Sequence, residues 1–318
     1  MPIKLLRWIT LALPAGLIAE FLLGDQYLSG APAPVVEQVV EVLLYTLFYG
    51  SAAITIREVT RRLGRGWPTI LLLGLAWGVI EEGLVTQSLF DPHYLGAHLL
   101  EQGFIPLLGT SGPWLVFVLM LQMVWSVATP IALAEAIATP ADGGPQRAWF
   151  GRFGLVLFPV LTALAAVAVF FASVPGVRGY DPDPLRLLGS VVAVVVLVVV
   201  AVLLPEPGAA RDSGRVVLGI VLSAVLLSAA QLARGIGDPW LAVGVTLLAL
   251  AALAVLIGAL RPAPVGLAAG AVLTYVWVGM RNAIPAGPVA IAEQSVLVLL
   301  ALAFTALALV RQRRGSVH

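Results

Sequence analysis

The sequence predicts an all-α protein: a polytopic integral membrane helical bundle of about ten transmembrane helices, with both termini in the cytoplasm. Composition is the first sign. Of 318 residues, 60% are hydrophobic and only 11% charged, with a mean hydropathy of +1.01, where a soluble domain carries roughly 25% charge. Apolar runs of about 20 residues are the second sign, each long enough to cross a hydrocarbon core of roughly 30 Å as a helix. The third is charge asymmetry. With the N-terminus inside, fourteen Lys and Arg residues fall on the cytoplasmic flanks and four (Arg178, Arg186, Arg234 and Arg281) on the other side.

Breaks at Gly, Pro and charge clusters set the helices in order. The first, near 8–24, follows Lys4 and Arg7 and holds Pro14, which a lipid-embedded helix tolerates. Ala31-Pro32-Ala33 imitates a signal cleavage site, but Glu20 and Asp25 intervene and a proline sits inside it, so the helix reads as uncleaved. The second, near 38–56, runs from Glu37 and Glu41 to Arg57, Arg61, Arg62 and Arg65, which read as a topology signal. The third and fourth lie near 68–90 and 113–139, the fifth near 153–174 and the sixth near 187–205, where Val191 to Leu204 holds no charge. The last four fall near 216–233, 240–260, 264–282 and 289–310. Two longer loops, 91–112 and 175–186, face outward. Tyr94 to Leu108 mixes apolar residues with His98 and Glu101, as an interfacial helix over a cavity or a plain surface loop does. The chain reads as a single transmembrane domain over 1–318 of the cell membrane. Its polar-cleft helices lie within 1–139 and 264–310, and an apolar scaffold lies within 153–260.

Several functions are excluded or left without support. A net charge of +1 without a long basic run gives no support for nucleic-acid binding. The absence of cysteine removes disulfides, thiolate metal sites and thiol nucleophiles. Histidine occurs at 93, 98 and 318 only, so no histidine-rich metal site is built inside the membrane. A metal on His93, His98 and a glutamate is the remaining option, beside two solvated loop histidines. No metal or cofactor is expected. Lys4 is the one lysine, which rules out a Schiff base within a helix, and no phosphate-cradling Gly-Lys-Ser/Thr loop occurs. Membrane lipids and a lipid-soluble or extracytoplasmic small substrate are the expected partners.

Ionisable groups in spanning helices are costly and mark function by default. Glu81 and Glu82 in the third helix and Gln122 in the fourth share one level in the outer half of the membrane. Glu20, Glu37, Glu41, Gln87, Arg281, Asn282, Glu293 and Gln294 lie nearer the outer surface, and the inner half is bare apart from Glu135. Helical spacing aligns Glu37, Glu41, Tyr45 and Tyr49; Gly74, Gly78 and Glu82; and Gln122, Ser126 and Pro130, where the proline frees the Ser126 carbonyl and predicts a kink. Trp277 and Arg281 share a face that brings a cation toward the acids if that helix packs nearby. Glu81, Glu82, Gln122 and Ser126 are thus candidate catalytic residues, and Glu41, Tyr45, Trp125, Arg281 and Glu293 candidate substrate-binding residues.

The adjacent Glu81 and Glu82 resemble the first motif of the CAAX prenyl protease family of membrane-embedded enzymes. The resemblance implies glutamate-activated water attacking a peptide bond. It covers those two residues. Where that family has Arg four residues after the second Glu, this chain has Thr86, and the family's later helical histidines are absent, with Gln122, Trp125 and Ser126 in that region. Two principal readings follow. One is a hydrolase-like membrane enzyme with a glutamate base, its cavity reaching Glu81, Glu82 and Gln122 beneath residues 94–108. The other is a proton-coupled small-solute transporter. A non-catalytic assembly protein with glutamates as helix glue is a third.

Overall fold

The computed structural model describes residues 3–27, 32–138, 146–173, 180–181, 183–205 and 214–315. Arg178, Arg211, His318 and half of the loop predicted at 175–186 lie outside them. Ten helices among the described residues are long and apolar enough to cross a membrane. They are α1 (Ile3–Gly16, continued as a π turn over Leu17–Phe21), α2 (Val35–Arg62), α3 (Trp67–Ile80, continued as a π turn over Glu81–Val85) and α4, which joins Gly112–Leu121, a π segment Gln122–Ala128 and Thr129–Ala138. Then come α5 (Gly154–Ser173), α6 (Pro184–Leu203), α7 (Val216–Ala233), α8 (Pro239–Leu260), α9 (Pro264–Ala283) and α10 (Pro288–Gly315).

Starts follow local chemistry. Ser111, Asp183 and Asp238 accept backbone N–H groups at the openings of α4, α6 and α8, each followed by a proline in the first turn. The third helix ends at 85 rather than 90. Thr86 and Ser88 turn their hydroxyls onto α3, and Gln87 takes a left-handed backbone with φ 56°. Beyond it, 91–111 forms no interfacial helix: it is a compact loop holding a short 3-10 turn, Tyr94–Gly96, and a hairpin of β1 (Phe104–Ile105) with β2 (Thr110–Ser111).

At the centre stands α4, its apolar window 67% buried, with α3 and α9 beside it; α6 on the rim is 11% buried. Glycine sets the close crossings. A Cβ on Gly50 of α2 would meet Ala12 of α1 at 2.6 Å, and one on Gly78 of α3 would meet the Gln122 Cβ of α4 at 3.0 Å. The outward faces of α5, α6 and α10 expose Leu and Val, such as Val160, Val195 and Leu299, the surface a lipid-facing helix presents.

At the bundle end opposite the 91–111 loop, two of the arginines read as topology signal also pair with buried acids. Arg57 lies 3.4 Å over the Trp149 ring and pairs with Glu58 and Glu135, each at 2.9 Å. Arg61 grips Glu135 with two nitrogens, at 2.9 and 2.8 Å. Glu58 also accepts the backbone N–H groups of Trp149 and Phe150. This clasp ties α2 to α4 and to the segment leading into α5.

Candidate functional site

Each of the three π segments carries acids or amides. In each, a backbone N–H reaches back five residues: Leu22 to Leu17, Thr86 to Glu81 and Thr129 to Val124. A π turn packs one extra residue into the helix and shifts the side chains around its axis, a feature frequent at functional sites. Here the shifts gather Glu20 from α1, Glu81 and Glu82 from α3, and Gln122 and Ser126 from α4. Beside Pro130, which offers no N–H to continue the ladder, the helix carries the π segment Gln122–Ala128.

Two linked chains result. In one, the Tyr49 hydroxyl of α2 meets Glu20 Oε2 at 3.0 Å and also Glu81 Oε1. A phenol has one proton to give, so both contacts are hydrogen bonds only when one of the carboxyls is itself protonated. In the other, Gln122 Nε2 donates to Glu82 Oε1 at 2.8 Å while Gln122 Oε1 accepts from Ser126 Oγ at 2.5 Å. Ser88 donates to Glu82 Oε2, Thr86 Oγ1 lies 3.3 Å from the same oxygen, and Trp114 Nε1 donates to Ser88 at 3.2 Å.

The two glutamates differ as a consequence. Glu82 has both oxygens engaged. Glu81, only 3% exposed, has a buried Oε2 with no partner among the described residues, as has the Gln87 Oε1 nearby in sequence. A buried polar atom without a hydrogen bond is costly. Strain adds to this, because Gln87 is a non-glycine residue in the left-handed region. Phe48, Tyr49 and Trp77 wall this side edge to face.

The remaining candidates are dispersed. Glu41 and Tyr45 are half-buried on α2, and Glu41, Asp25 and Glu82 stand within electrostatic reach of Glu20. Trp125 is fully buried, donates to the Ala271 carbonyl at 2.8 Å and stacks on Tyr275 with centroids 4.1 Å apart, binding α4 to α9. Glu293 accepts from Gln38 at 3.2 Å, on the α2–α10 side. Arg281 is exposed, and its charge acts on Arg234, which itself faces Asp25. His93 and His98 have ring centroids 6.2 Å apart, and among the described residues no three acidic or histidine side chains group as metal ligands.

A cavity of 330 Å³ does lie beneath residues 97–102, but it does not reach the glutamates. Trp114 lines it, and its indole donates to Ser88, which in turn donates to Glu82. Sequence reasoning missed Ser88, Trp114 and Arg234. The first two sit outside any helical stripe, and Arg234 counts in a sequence only as a flanking charge. Tyr49 is legible, being the fourth member of the Glu37 stripe.

Fold and site together define a multi-pass membrane protein of the cell membrane, with ten spanning-length helices among the described residues packed around a buried carboxylate cluster. The chain belongs to an uncharacterized membrane protein family, whose model matches residues 16–310. No curated protein and no solved structure matches it.

Proposed function

We propose that this protein is a membrane-embedded, hydrolase-like enzyme in which Glu81 acts as general base on a lipid-soluble or extracytoplasmic substrate. The observation that carries this reading is the free, buried Oε2 of Glu81 beside a Glu82 whose oxygens are both held. A base needs one open lone pair on a fixed carboxylate. Glu82 and Gln122 are the positioning pair. Glu81 takes a proton from water, the hydroxide adds to the acyl carbon, and the proton passes to the leaving group as its bond breaks. Giving that proton to the leaving group returns Glu81 to its carboxylate form, and Tyr49, bridging to half-buried Glu20, holds Glu81 in place. The fourteen-to-four distribution of cations supports placing the cluster within the outer half of the membrane.

The test is hydrolysis of a panel of lipid-soluble esters and acylated peptides by the purified full-length protein. Glu81→Gln should lower the rate by about 100-fold or more, with folded yield and thermal stability near those of the parent. Full activity in Glu81→Gln together with collapse of Glu81→Leu would make the carboxylate helix glue, and the assembly reading would replace the catalytic one.

One observation favours a second reading. A hydrogen-bonded series from half-buried Glu20 to buried Glu81 is also how a proton-coupled transporter stores its proton.

A further inference from the structure

We infer that the cavity beneath residues 97–102 is a binding site for a phosphate-bearing amphiphile, its head at Arg234 and its apolar chain between α4, α7 and α8. The cavity is graded. At one end stand the exposed Arg234, over Phe117, and the exposed Gln102, while Ala242, Val243 and Thr246 line it further along α8. Pro239 and Thr246 of α8 both line it, so it follows that helix for about 10 Å. Its 330 Å³ falls within the range of small-ligand sites.

That end favours an anion. The Arg234 side chain is exposed at the end of α7, its guanidinium 3.8 Å over the Phe117 ring, and it forms no ion pair among the described residues. The charge of Arg281 adds to that of Arg234. Among the nearby acids, Glu101 contacts His98 at 2.8 Å and Asp238 caps α8 through Leu241 N–H, and Asp25 is the acid that acts on Arg234. A guanidinium presents paired donors that match two phosphate oxygens. Free phosphate would use that end alone. The apolar length below it is wasted unless the ligand carries a chain, which points to a lipid.

This inference stands apart from the acid–base assignment of Glu81, and its readout is binding. The full-length protein in detergent is titrated with dioctanoyl phosphatidic acid, with dioctanoyl phosphatidylcholine and inorganic phosphate as competitors. Saturable binding is expected, weakened about tenfold or more in Arg234→Gln and lost in Ala242→Trp, which fills the chain end without touching the head. Neither competitor should displace the lipid at matched concentration, and Glu81→Gln should bind as the parent does. Unchanged binding in Ala242→Trp overturns the site. Displacement by inorganic phosphate overturns the lipid, and equal displacement by phosphatidylcholine overturns the anionic head. Should Arg234→Gln fail to fold, Ala242→Trp and the competitors still decide. Loss of hydrolysis with binding intact, or the reverse, separates this site from the catalytic reading.

Discussion

A single phenol joins two carboxylates, and much of the site's chemistry follows from that proton count. Because Tyr49 donates to one of Glu20 and Glu81, the other contact needs a carboxyl proton. Infrared difference spectra at neutral pH should therefore contain a protonated carboxyl band that disappears in Glu20→Gln or Glu81→Gln; a spectrum without one in the parent contradicts the chain. Tyr49→Phe strips both acids of their shared partner. It should cost about 1–3 kcal/mol, read as a fall in melting temperature. Glu82→Gln is milder than Glu82→Leu, since leucine leaves Gln122 Nε2 and the Ser88 hydroxyl buried without acceptors. Equal melting temperatures for the two variants would mean those hydrogen bonds hold nothing.

Helices were legible in the sequence wherever lipid alone dictates them, because a spanning segment must satisfy its backbone internally and stay apolar for about 20 residues. The Gly74–Gly78–Glu82 stripe was legible for the same kind of reason. Its glycines face α4, and a Cβ at Gly78 would press on Gln122 and Leu119, each at 3.0 Å. The π turns were not legible, since hydropathy averages over more residues than a π turn spans; only Pro130 marked one of the three. The early end of α3 was hidden likewise, because Thr86 and Ser88 compete with the helix through side-chain hydrogen bonds to Glu81 and Glu82 that no periodicity announces. Gly78→Val should push α3 from α4, lowering stability by about 1–3 kcal/mol. Gly258→Ala on α8 meets nothing within 4 Å and removes backbone freedom, so it should be neutral or stabilise by up to about 1 kcal/mol. Comparing the two melting temperatures separates a packed glycine from an incidental one.

The two ends of the bundle are built differently, and that contrast bears on the choice between the enzyme and transporter readings. At one end lie the carboxylate cluster, the strained Gln87 and the cavity. At the other lies the Arg57–Glu58–Arg61–Glu135 clasp, where removing one partner, as in Glu135→Ala, should cost about 3–5 kcal/mol because buried guanidinium charge is stranded. The sequence shows these charges but not their pairing, which depends on α2 crossing α4 and on the segment that carries Trp149. Between the ends stand Trp125, Ile131 and Leu133, all fully buried, and Trp125 is locked onto Tyr275. An alternating-access transporter must open both ends to one site in turn, so it would have to break this stack and the clasp in each cycle. An enzyme needs access from one end. Orientation is tested first: in this cysteine-free chain, Ala97→Cys should react with an impermeant thiol reagent applied to intact cells, and Leu63→Cys should react only after lysis. Proteoliposomes holding the purified protein are then given a pH gradient. Under the enzyme reading no tested solute accumulates. Reproducible gradient-driven uptake, abolished by Glu81→Gln, would overturn the enzyme reading. The Glu20–Tyr49–Glu81 chain would then be the proton carrier of a transporter.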